Sequence, residues 1–145
     1  MYQKIILAYD GSLESQQAVL SCKALTQWGG SKVHLLSVLP FDLISMGHET
    51  SCYSNKHNKI EEERCLTVLH NGVEQLNKAG IEAIGTLLSG YAVDKIIEYA
   101  TSIEADLIML GHKRHANWLE RWWSGSIPKA LIEHSPCSVL VVIIT

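Results

Sequence analysis

The chain has 145 residues, 47% of them apolar and 19% charged, and a formal net charge of −3. That is one ordinary domain with enough apolar material for a core, which excludes a disordered chain. The slightly acidic balance gives no bulk electrostatic reason to expect nucleic-acid binding.

The opening MYQKIILAYDGS holds one Lys and five apolar residues before Asp10. That run is too short for a signal-peptide core or a membrane span. A cytoplasmic protein without membrane contact is therefore expected, with its cysteines reduced. Cys22, Cys52, Cys65 and Cys137 contain no CxxC pair, so neither a zinc ribbon nor a redox pair is suggested.

Lys4 to Ala8 (KIILA) reads as a strand ending at Tyr9-Asp10-Gly11-Ser12, where Ser12 or Asp10 can cap a helix. That helix carries Ala18, Val19, Cys22 and Leu25 at helical spacing and stops at Gly29-Gly30. Val33 to Leu39 is a second strand, closed by Pro40. Residues 41–58 are polar without a period and are expected to form a mobile loop. A helix is then predicted over Lys59 to Ala79, with Leu66, Leu69, Val73 and Leu76 as its inner stripe. Glu61-Glu62-Glu63 would be its solvated start, favourable to the helix dipole.

Ile84 to Leu88 is a third strand, followed by Gly90 and a helix with Val93, Ile96, Ile97 and Ala100 inward. Leu107 to Leu110 is a fourth strand, ending at Gly111. After a long loop, Gly125 to His134 is helical with Ile127, Ala130 and Leu131 inward, and Val139 to Ile144 is the last strand. Strands that are continuous apolar runs, alternating with helices, indicate an open α/β sheet of parallel strands covered on both faces. Ligands of such sheets bind beyond the C-terminal strand ends, where strand order reverses.

Three strand ends would converge there. The first brings Ala8, Tyr9, Asp10 and Ser12, the second Val38, and the fourth Gly111, His112, Lys113 and Arg114. The segment GHKRHANWLERWWSGS opens on Gly111 and closes on Gly125-Ser126, at the start of the helix that carries Ile127. Glycine permits close approach of an anion, a helix N-terminus offers oriented N–H donors, and Lys113 and Arg114 add positive charge. These features suit a phosphate cradle; they equally suit a capped helix behind a solvated loop. Asp10 could accept from a base or ribose group or help hold a metal, or serve only as a turn residue. Val38 could offer backbone groups to a base edge, or be a plain strand residue. His112 with His115, and His48 with Cys52 and His57, lack a recognised ligand spacing, so no metal site is expected. No GxSxG elbow and no GxxxxGK[ST] loop occurs.

Over essentially its whole length the chain resembles the universal stress protein family. The resemblance is carried by KIILAYDGS, VHLLSVL, ADLIMLGHKR and GSIPKALIEHSPCSVLVV. Gly111 matches the first glycine of the family's G-2x-G-9x-G-(S/T) motif, and Gly125-Ser126 match its end. Arg114 stands at the second glycine, and ten residues rather than nine separate it from Gly125. Pro128 replaces a small polar residue, and Gly90-Tyr91-Ala92 lacks a usual Pro. The resemblance implies a five-stranded Rossmann-like sheet in the order 3-2-1-4-5 and a homodimer paired through the last strand. It also implies a regulatory role in stress, with ATP, ADP or AMP as ligand, with or without Mg2+, and a protein partner it does not identify. The ligand set would be Ala8, Tyr9, Asp10, Ser12, Val38, Gly111, His112, Lys113, Arg114, Gly125, Ser126 and Ile127. With no convincing general base, slow ATP hydrolysis or self-phosphorylation is the most to expect. The alternative is a dimeric interaction module whose nucleotide site has decayed. A phospho-receiver domain is disfavoured, since Asp10 stands alone after the first strand and Ser89-Gly90 follow the third.

Overall fold

The computed structural model describes residues 2–25, 30–40, 53–113 and 126–144. The strands are β1 (Lys4–Ala8), β2 (Lys32–Pro40), β3 (Glu82–Gly90), β4 (Leu107–Lys113) and β5 (Ser138–Ile144). The helices are α1 (Leu13–Leu25), α2 (Tyr53–Lys78), α3 (Ala92–Ile103) and α4 (Ser126–His134). All strand pairs are parallel, in the expected order β3-β2-β1-β4-β5. None of the described helices is long and apolar enough to cross a membrane.

Alternation along each strand divides the core in two. Ile5, Leu7 and Tyr9 face one layer with Ala18, Val19 and Cys22 of α1 and Leu69 and Leu76 of α2. Ile6 and Ile108 face the other with Ile96 and Ala100 of α3 and Leu131 of α4. Helices cover both faces, which is why the central strands carry apolar residues at odd and even positions alike.

Several expectations are corrected. Helix α2 begins at Tyr53, so residues 53–58 are helical rather than loop, and Glu61-Glu62-Glu63 lie inside the helix, not at its start. Leu66 is 45% exposed. The inner face instead includes Gly72, where an added Cβ would crowd Leu35 and the Tyr9 ring, so α2 meets the sheet through a residue with no hydrophobic signature. Ile127 is 40% exposed rather than inward, while Leu131 is fully buried. The β2, β3 and β4 strands also run on through Pro40, Gly90 and Lys113, because backbone pairing continues past the apolar run.

A cleft at the C-terminal edge of β1 and β4

β1 has β2 on one side and β4 on the other, so the strand order reverses at β1. Beyond the strand ends there, on the α3/α4 side, lies a cleft of about 360 Å³. That volume is within the range of small-molecule sites.

The chain leaves β1 through a sharply shaped turn. Gly11 has φ +80°, a left-handed conformation, and an added Cβ would lie 2.6 Å from a Val68 methyl. Asp10 Oδ1 accepts from the Ser12 N–H at 2.9 Å. Ser12 Oγ then caps α1 by accepting from the Ser15 N–H at 3.2 Å, while Ser15 Oγ donates to the Ser12 carbonyl at 3.0 Å. Partial burial pushes the Asp10 carboxyl up, but hydrogen bonds from Ser12 and Ser15 outweigh it and hold the group below its ordinary range. Asp10 is thus an anion at neutral pH, and the only carboxylate among the described residues lining the cleft.

Of the expected residues, Ala8, Tyr9, Asp10, Ser12, Val38, Gly111, His112 and Ile127 all line the cleft. Tyr9 does so with its side chain engaged elsewhere: its ring is buried in the α1/α2 layer. Its N–H donates to the Leu36 carbonyl at 2.8 Å, and its own carbonyl accepts from the Ser37 hydroxyl. Lys113 closes β4 opposite Ile144, and Ser126 opens α4. Arg114 and Gly125 lie outside the described residues.

Gly111, besides lining the cleft, has a packing role. A Cβ there would run into the backbone carbonyl of Glu14, in the first turn of α1. Its bareness therefore lets the α1 N-terminus pack directly on β4, a steric need that exists with or without an anion nearby.

Ser15, Leu36, Ala92, Ile96, Leu110 and Pro128 also line the cleft and were not expected. Leu36 and Leu110 belong to the same core layer as Val38 and Ala8, on neighbouring strands. Ser15, Ala92 and Pro128 lie in the first turns of α1, α3 and α4. In a parallel α/β sheet every helix following a strand starts at this edge, and that rule could have found all three. The cleft thus has an apolar floor and a rim formed by three helix N-termini, each a source of N–H donors and partial positive charge. Among the described residues no three His, Cys, Asp or Glu side chains cluster as a metal would require.

Comparison with known proteins places this architecture. The model of the universal stress protein family matches residues 1–142. A Staphylococcus saprophyticus relative, assigned by its name to that family, is 29% identical over 143 residues, covering 97% of this chain and 83% of its own. A hypothetical protein whose biochemical function was assigned from its structure superposes with a TM-score of 0.82 at 21% identity, covering 100% of this chain and 98% of that one. An Arabidopsis thaliana universal stress protein solved with AMP bound gives a TM-score of 0.69 at 15% identity, covering 99% and 92%. By its family match and its fold, the chain belongs to the universal stress protein family.

Proposed function

We propose that the cleft binds an adenine nucleotide and that the chain acts as a nucleotide-responsive regulatory protein of the cytoplasm, with a role in the stress response. The observation that carries this reading is the cleft itself: an apolar floor of Leu36, Val38, Ile96 and Leu110 beneath three helix N-termini, at the reversal point of the sheet. The floor suits the faces of a purine, and helix N-termini suit a phosphate. The carboxylate of Asp10 suits a ribose hydroxyl, which it can receive as a hydrogen bond. AMP in the Arabidopsis relative supports the same reading. If Mg2+ accompanies ATP, Asp10 is the described carboxylate that could meet it. The role is one of binding, with slow hydrolysis or self-phosphorylation as its upper limit.

Arg114, in place of a glycine, is proposed to contact phosphate with Lys113 assisting. Calorimetry with AMP, ADP and ATP should give affinities of roughly micromolar to sub-millimolar, about 5–8 kcal/mol. Arg114→Ala should weaken ATP binding roughly tenfold or more, the worth of a charge-assisted contact. No heat and no thermal shift at millimolar nucleotide would replace this reading by the interaction module with a decayed site. A homodimer through β5 belongs to the same proposal, since Leu140 and Ile143 on that edge strand are 37% and 47% exposed. Sedimentation should show a dimer that Val141→Lys disrupts.

A further inference from the structure

We propose that His34, Tyr99 and Thr86 form an acid-sensitive latch that fastens α3 to the sheet and thereby sets the walls of the cleft at the other end of that helix. The coupling to the cleft rests on the nucleotide reading above; the latch does not.

His34 lies on β2, facing α3, and is only 7% exposed. Its Nδ1 is 3.0 Å from the Tyr99 hydroxyl, and the two rings meet nearly edge-on with centroids 5.7 Å apart. The same hydroxyl lies 3.4 Å from Thr86 Oγ1 on β3. One oxygen on α3 therefore ties the helix to two neighbouring strands. Among the described residues, no buried side-chain nitrogen or oxygen lacks a hydrogen-bond partner.

A neutral imidazole can accept from the Tyr99 O–H at Nδ1 or donate to its oxygen. A protonated one can only donate. Protonation thus fixes Nδ1 as the donor, removes the acceptor that the Tyr99 O–H could use there, and places a cation on a largely buried ring. The charged surroundings oppose it. Lys32 lies two residues away on β2, and Lys4 lies opposite Lys32 on β1. Glu82 on β3 pairs with Lys32 at 3.6 Å. Glu104, just after α3, lines the same groove as His34, and the Lys95–Glu98 pair of α3 flanks Tyr99 on its outer side. Asp106 is taken up by the Gln3 and Lys4 N–H groups. The C-terminal carbonyls of α3 favour a cation, but Lys4 Nζ already donates to that of Ile103 at 3.0 Å. Burial first, then Lys32 and Lys4, hold the imidazole below its ordinary range, with Glu82 pulling the other way. A depressed folded value means the latch contributes fully above the ordinary histidine value of 6.5 and is lost as pH falls from there through the folded value. A groove of about 460 Å³, lined by Lys4, Lys32, His34 and Ser102, gives water and protons access.

The route to the cleft is short. Tyr99 and the cleft residues Ala92 and Ile96 belong to one 12-residue helix. On β2, His34, Leu36 and Val38 alternate along a single face, and the last two line the cleft. Loosening the Tyr99 end of α3 changes the seating of both cleft-wall residues on the same helix.

The test uses the full chain, with amide hydrogen exchange corrected for its intrinsic pH dependence and AMP as the probe ligand. Protection of α3 relative to β1 should fall roughly tenfold between about pH 7.5 and about pH 5.5 in the wild type, and the AMP dissociation constant should rise over the same range. His34→Asn keeps a polar group near the Nδ1 position without ionising; it should make the α3 response flat and leave in the AMP response only what titration of the phosphate itself, at about pH 6, brings. Tyr99→Phe keeps the ring packing, and should leave α3 loosened already at the higher pH. Equal loosening with acid in the wild type and His34→Asn would overturn the latch, as would a full acid response in Tyr99→Phe. Acid loosening of α3 with an AMP response no larger than that of His34→Asn would overturn the coupling. If AMP binds at neither pH while α3 still loosens, the latch stands and the nucleotide reading falls.

Discussion

At the N-terminal edge of the sheet, polar groups satisfy one another. Asp106 accepts from the backbone N–H groups of Gln3 and Lys4 at 2.8 and 3.0 Å, Lys4 Nζ donates to the Ile103 carbonyl, and the Ser31 hydroxyl donates to the Tyr2 carbonyl at 2.6 Å. At the C-terminal edge the polar groups shape a turn and then face a cleft: Asp10, Ser12 and Ser15 around the α1 N-terminus, with the first turns of α3 and α4 beside them. The same backbone geometry runs through both edges. One end is fastened because strand starts meet helix ends and their charges neutralise each other. The other is open because strand ends diverge into helix starts, whose donors have no backbone partner of their own. Stability and binding should therefore separate along the strand axis.

The largest test of that separation is the residue that serves both roles. Gly111→Ala puts a Cβ against the backbone of Glu14, which cannot swing aside as a side chain could. It should cost about 2–3 kcal/mol in urea unfolding, as overpacking does, and should also abolish AMP binding, because both walls it separates belong to the cleft. Full stability with normal binding would show that α1 does not need this close approach.

A paired comparison is next in size. Asp106→Ala at the fastened edge leaves two backbone N–H groups without their carboxylate, and should cost about 1–2 kcal/mol with AMP affinity unchanged. Asp10→Ala at the open edge should cost less than about 1 kcal/mol, since Ser12 remains as the helix cap. It should nevertheless weaken AMP binding roughly tenfold. If the two variants shift stability and affinity in the same proportion, the edges are not functionally distinct. The smallest effect concerns Glu104, which ends α3 in the left-handed region at φ 55°, with Ala105 N–H returning to the Ala100 carbonyl at 2.9 Å. Glu104→Gly should raise stability by about 0.5–1 kcal/mol through relief of that conformation, leaving the open edge untouched.

The fold was legible in the sequence because the strands are mainly apolar runs, unbroken in Ile5–Ala8 and Leu107–Leu110, and because Gly11, Gly80 and Gly90 mark turns between them and the helices. The boundaries were less so. Residues 54–58 are polar and follow a single Tyr53, so their helical state leaves no hydrophobic period to read. Leu66 looked like core by spacing, but Gly72 seats α2 more deeply on Tyr9 and Leu35 and turns Leu66 outward. In the candidate site, the strand-end residues Ala8, Asp10, Val38 and Gly111 were legible from position alone. Tyr9 was legible as a position but not as a buried ring, which depends on α2 packing. The His34–Tyr99–Thr86 set could not be read at all: His34 and Tyr99 are 65 positions apart and share no motif.

The central position of β1 also shapes how the molecule is made. Its pairing with β2 joins segments close in sequence, Ile5 with Val33, but its pairing with β4 joins Ile5 to Leu107. On a ribosome, one side of this strand, apolar from Ile5 to Ala8, stays without its neighbour until most of the chain has been synthesised. The cleft straddles that late seam, so the ligand site is assembled near the end of folding. Until then the nascent chain carries an adhesive strand edge that β4 must reach before another polypeptide does.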